Sequence, residues 1–151
     1  MRPGEPQTLL RQNLLELAEA RQHLDYSFEQ VKSFPAALTG ATEAQLESVE
    51  AFTNRFARSV DLLVNKVLRA LDRVELKPQG TLLDVVNRAE KRGFVASAGE
   101  LREMKDVRNI IAHDYAGTKL ADIFAYCRDQ KPAFDTICRE VATYTGPLVK
   151  Q

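Results

Sequence analysis

The chain is poor in the residues on which disulfide- and metal-built proteins depend: 151 residues contain two cysteines, two histidines and no tryptophan. Two cysteines cannot form a disulfide framework. Cys127 and Cys138 lie eleven positions apart. On one continuous helix that is ~16 Å along the axis, beyond the reach of a bridge. They are expected as reduced core thiols of a cytoplasmic protein. So few sulfur and imidazole ligands also argue against a structural zinc site. Charge of one sign is missing too: Lys+Arg and Asp+Glu both number 21. A protein that grips nucleic acid by bulk electrostatics is basic, so any contact with RNA must run through a local site. No apolar run approaches the ~20 residues that span a bilayer. The opening residues lack the apolar segment of a secretory signal. No repeat or low-complexity tract is present.

What is present is ordinary globular composition, 44% hydrophobic and 28% charged, in a length that fits one domain over 1–151 with flexible ends at 1–7 and 145–151. Apolar residues recur every three or four positions almost throughout, and no segment alternates with period two. The spacing predicts a first helix from near Thr8 to about Phe34, stopped by Pro35. Thr42 and Gln45 form a capping box that opens a long helix reaching about Glu75. A kink is expected in it because an unbroken helix would measure ~50 Å. After a turn at Pro78 and Gly80, a third helix runs from Thr81 to about Arg92 and is closed by Gly93. Ser97 and Glu100 are read as a second capping box, opening a helix that breaks near Ala116–Thr118. The last helical region, from near Lys119 to Tyr144, should be interrupted by Pro132. The fold class is therefore all-α, an up-and-down bundle of four to six helices with a long second helix and a proline-interrupted last one.

The segment Arg108-Asn109-Ile110-Ile111-Ala112-His113-Asp114-Tyr115 carries the chemistry. Histidine moves protons near neutral pH, and arginine presents a permanent charge in a planar fork that matches phosphate. Their spacing places Arg108 at the edge of the apolar stripe Leu101, Met104, Val107 and Ile111. Asn109 and His113, four apart, share a neighbouring face. A structural role is the alternative: Arg108 pairing with Asp106, Asp114 or another helix, His113 favouring the helix C-terminus, and Tyr115 a rim aromatic. His23, beside Asp25 on the polar side of the first helix, carries only that structural reading.

From about Gly80 to Pro132 the chain resembles the HEPN superfamily, in particular HepT-like toxins. The resemblance rests on a short helix ending Lys-Arg-Gly-Phe, a second running from Leu101 into the Arg108–Tyr115 motif, a small loop, and the sequence Leu-Ala-Asp-Ile-Phe-Ala-Tyr. The HepT-like signature Arg-x4-His-x-Tyr is matched without a gap by Arg108, His113 and Tyr115. The first ~75 residues match only as long helices. The resemblance implies a homodimer with a composite cleft that cuts RNA without metal or cofactor. In it, His113 handles the proton of the ribose 2′-hydroxyl, Arg108 stabilises the transition-state charge and Asn109 orients a neighbour or the phosphate. It implies a nucleotidyltransferase antitoxin as partner and Tyr115 as an AMP acceptor, with no membrane and no DNA. The alternative is a non-catalytic, substrate-binding subunit of a nucleotidyltransferase pair with the same fold.

Overall fold

The computed structural model describes Arg2, residues 4–114 and residues 116–150. Among these residues it contains helices and no strand, as the periodicity predicts. The elements are α1 (Glu5–Val31), α2 (Glu43–Asp61), a π-helical segment (Leu62–Leu68), α3 (Arg69–Val74), α4 (Leu82–Lys91), α5 (Ala98–His113) and α6 (Leu120–Val149).

α1 starts at Glu5, earlier than expected, because Pro6 suits the first turn, where its missing N–H has no partner to lose. It ends at Val31, ahead of Pro35. The capping box at Thr42 is present: its side chain accepts from the Gln45 N–H at 3.1 Å, and Gln45 Oε1 accepts from the Thr42 N–H at 2.9 Å. The long helix is continuous in sequence but changes winding at the π segment, which separates α2 from α3 without a turn. Gly93, at φ +84°, closes α4 through bonds from its own N–H and that of Phe94 to the carbonyls of Glu90 and Ala89.

Two local expectations are corrected. Ser97 precedes α5 but its side chain makes no capping bond; the Ala98 N–H instead donates to Glu90 Oε1 at 2.8 Å, so the end of α4 caps α5. The expected interruption of the last helix at Pro132 is absent, because α6 continues through both Pro132 and Pro147. A mid-helix proline removes one hydrogen bond, and its ring crowds the carbonyl four residues back. Here the turns on both sides are pinned by burial of Phe124, Cys127, Phe134 and Ile137, which outweighs that loss. Helix also covers residues 5–7 and 145–149, inside the expected flexible ends, and Thr145 is buried.

The core lies between α1, α2 and α6. Phe52 of α2 meets Phe28 of α1 and Phe124 of α6, and Phe56 meets Phe134. Such tilted and edge-to-face pairs add to the area they bury. Asp72, almost fully buried on α3, ties α4 into the bundle through Arg88 at 3.0 Å and Arg92 at 2.9 Å. α5 lies across α2 and α4, so its C-terminal turn is presented at the bundle's edge beside the junction of α2 with the π segment. No helix among the described residues is long and apolar enough to cross a membrane.

Candidate active site

Leu101, Met104 and Val107 anchor α5 in the core, and Ile111 packs against its margin. One to three positions from each buried residue the helix turns outward, leaving Arg108, Asn109 and His113 exposed on its last turns. The amphipathic stripe thus does two things at once. It fixes the helix rigidly and leaves the motif open to solvent at one end.

Arg108 reaches sideways to α2. Its Nη1 lies 2.8 Å from Oδ2 of Asp61, with the arginine side chain 60% exposed. Of the pairings open to Arg108 from sequence, the structure selects the neighbouring helix and leaves Asp106 and Asp114 to other tasks. Asp106 Oδ1 accepts from Asn109 Nδ2 at 3.2 Å. Asp114 accepts from the Lys119 N–H at 3.0 Å and so caps α6. Gly117, at φ +68°, donates to the Asp114 carbonyl and makes the α5–α6 loop short.

His113 Nδ1 lies 2.7 Å from the backbone carbonyl of Asn109, one turn earlier. A carbonyl oxygen only accepts, so Nδ1 carries a proton and, in the neutral ring, Nε2 holds the lone pair. Arg108, Asn109 and His113 therefore share the last turns of one helix, with both side-chain partners of the first two identified. Tyr115 lies outside the described residues.

Two residues that the sequence did not single out belong to the same place. Asp61 takes Lys105 Nζ at 3.0 Å and Asn65 Nδ2 at 2.8 Å on Oδ1, in addition to Arg108 on Oδ2. Lys105 is 17% exposed. The available signal was local: Asp61 is the one acid between Glu50 and Asp72, in a stretch otherwise carrying Arg55, Arg58, Lys66 and Arg69. A shallow groove extends from Asn109 back along α5 past Asp106, Lys105 and Arg102, with Leu82 of α4 as an apolar wall. His23 lies far along the chain from the motif, on α1, where its backbone carbonyl accepts from Arg55 at 3.2 Å. Cys127 and Cys138 are buried free thiols, and burial pushes both thiol pKa values up, that of Cys138 to about 12. Among the described residues no group of His, Cys, Asp and Glu is placed to hold a metal ion.

A family model described as ribonuclease HepT-like matches residues 16–141. The match starts within α1 and runs deep into α6, so it includes the first long helices, which the sequence alone related to the family only as generic helices. No curated protein and no solved structure matches the chain.

Proposed function

The chain belongs to the ribonuclease HepT-like family, and from that premise we propose that it is a metal-independent endoribonuclease, the toxin of a toxin–antitoxin pair, active as a homodimer. The observation that carries the reading is that His113, with Nδ1 on the Asn109 carbonyl, and the exposed Arg108, anchored by Asp61, both stand on the last turns of α5.

The chemistry needs only these groups and the RNA. His113 Nε2 takes the proton of a ribose 2′-hydroxyl as that oxygen bonds to the adjacent phosphorus. The phosphorus–O5′ bond then breaks, and the leaving 5′-oxygen takes a proton from a protonated imidazole. The products are a 2′,3′-cyclic phosphate and a 5′-hydroxyl. Arg108 faces the negative charge that builds on the non-bridging oxygens, the larger electrostatic contribution. Asn109 sets the position of His113 through its carbonyl and offers an amide to the phosphate. One imidazole cannot be base and acid in the same step, and a second copy of α5 across a two-fold axis supplies the other. A nucleotidyltransferase antitoxin completes the pair. The Tyr115 hydroxyl attacks the α-phosphorus of ATP, pyrophosphate leaves and the phenol proton passes to solvent. The resulting AMP ester, two positions from His113, places an anion where RNA phosphate binds.

The test is cleavage of single-stranded RNA by the purified full chain. Arg108→Ala and His113→Ala should each lower the rate by about 100-fold or more with folding retained. Unchanged cleavage in both variants, or none by the wild type, refutes the catalytic reading and leaves the non-catalytic subunit. Co-expression with a nucleotidyltransferase encoded beside it should raise the intact mass by multiples of AMP, and Tyr115→Phe should abolish the increment.

A further inference from the structure

An acid next to a phosphate-binding arginine is a liability, because it competes for the guanidinium and repels the incoming anion. Asp61 occupies that position, 2.8 Å from Arg108 Nη1. Two neighbours on its other oxygen change what it does. Lys105 Nζ lies 3.0 Å from Oδ1, on a side chain only 17% exposed, and Asn65 donates to the same atom at 2.8 Å.

Two cations and one carboxylate leave one net positive charge. The two cations differ in how firmly they are held. Lys105 is largely enclosed, so its pairing with Asp61 is weakly screened and lasting. Arg108 is 60% exposed, and its pair with Asp61 is of the surface kind, weak and easily given up. A guanidinium has five N–H donors in a rigid fork. A contact through Nη1 orients the fork while leaving other donors to meet a phosphate.

We propose that Asp61 and Lys105 are positioning residues of the phosphate site: Asp61 aims the Arg108 fork, and Lys105 cancels the Asp61 charge so that RNA phosphate is not repelled. This deepens the ribonuclease reading and rests on it. Lys105 thereby promotes RNA binding without touching RNA.

The charge sums give the signs. Asp61→Asn raises the local charge by one and frees Arg108, so binding tightens while turnover falls. Lys105→Met leaves Arg108 facing an uncompensated carboxylate, so binding weakens. The double variant restores the wild-type sum, so binding returns, while turnover stays low because Arg108 has lost its anchor.

The experiment measures Kd for a 2′-O-methyl RNA oligonucleotide, which has no hydroxyl to react, together with kcat and KM on the unmodified oligonucleotide. Lys105→Met should weaken binding about tenfold, and Asp61→Asn/Lys105→Met should return it to within about twofold of wild type. Asp61→Asn should lower kcat about tenfold without raising KM. Lys105→Arg, which keeps the charge, should bind as wild type does. If Lys105→Met fails to fold by circular dichroism, the tighter binding of Asp61→Asn decides instead. Wild-type affinity in Lys105→Met, or a double variant no better than Lys105→Met, overturns the proposal, since a merely structural role gives additive losses. Cleavage that survives His113→Ala refutes the ribonuclease reading instead, whatever these affinities show.

Discussion

Replacing Leu76 by glycine should stabilise the protein. Leu76 follows α3 at φ +58°, a left-handed conformation that ordinarily selects glycine. The hydrogen bonds around it explain why the backbone is held there: the Lys77 N–H reaches the Asp72 carbonyl at 2.8 Å and the Leu76 N–H reaches that of Arg73 at 3.1 Å. They close the end of α3 as a Schellman turn. The left-handed conformation costs a residue with a Cβ about 1–2 kcal/mol. Glycine removes that cost but loses more backbone entropy on folding, about 0.5–1 kcal/mol. The side chain contributes little to offset this, because Leu76 is 89% exposed. The net gain is about 0.5–1 kcal/mol, a rise in Tm of roughly 1–4 °C for a chain of this size. Leu38 supplies the control. It has nearly the same backbone, φ +56°, but its side chain packs against the core margin. There, losing half a buried leucine costs about 1–1.5 kcal/mol, so Leu38→Gly should be neutral or destabilising. Thermal unfolding followed by circular dichroism at 222 nm, a standard far-ultraviolet helix band, reads both. A lower Tm for Leu76→Gly would refute the argument and point to a contact that the exposed side chain makes elsewhere.

The two thiols should be inert until the protein unfolds. The thiolate is the reactive form, and burial raises the pKa of Cys138 to about 12 and that of Cys127 as well. Iodoacetamide at pH 8 should leave the native protein unmodified and label both cysteines in denaturant; labelling of the native state would show that α6 opens. Asp72→Asn should cost about 3–5 kcal/mol by chemical denaturation, since it strips the buried carboxylate from Arg88 and leaves the buried Arg92 with Glu75 alone. A loss below about 1 kcal/mol would mean that the existing Glu75 pairing, 2.8 Å from Arg92, suffices to hold that charge.

Features set by neighbours in sequence were legible, and features set by partners in space were not. The Thr42 capping box, the Gly93 stop and the apolar stripe of α5 are local patterns, and the structure bears them out. Ser97 has the right residue types for a capping box, yet the Glu100 N–H that the box would use bonds the Ser97 carbonyl instead, and Glu90 of α4 takes the Ala98 N–H. Pro132 is a strong local break signal, overridden by apolar burial on both sides of it. The π segment left a trace that the helical reading passed over. Leu63, Val64, Val67, Leu68, Ala70 and Leu71 are all buried, a wider set than one regular stripe holds. The motif residues were visible as residue types at a fixed spacing. Their anchor was not, because Asp61 and Arg108 are 47 positions apart and only the crossing of α2 with α5 brings them together.

Zero net charge is consistent with the proposed chemistry once the charges on α5 are followed in order. Arg102, Lys105 and Arg108 alternate with Glu100, Glu103 and Asp106, so a polyanion lying along the helix meets both signs. Asp61 removes one more positive charge beside the motif. A surface of this kind cannot grip many phosphates, whose neutralisation supplies most non-specific affinity. In the proposed homodimer it would hold one phosphodiester between Arg108 and His113, with the second subunit doubling that charge. Under the proposed function, substrate selection then falls to geometry at the cleaved bond rather than to charge along the strand. The same economy makes one small modification sufficient to silence the proposed site. In that proposal a single AMP on Tyr115 would add an anion two residues from His113, and it would need to offset only the one positive charge that the Arg108, Lys105 and Asp61 cluster leaves over.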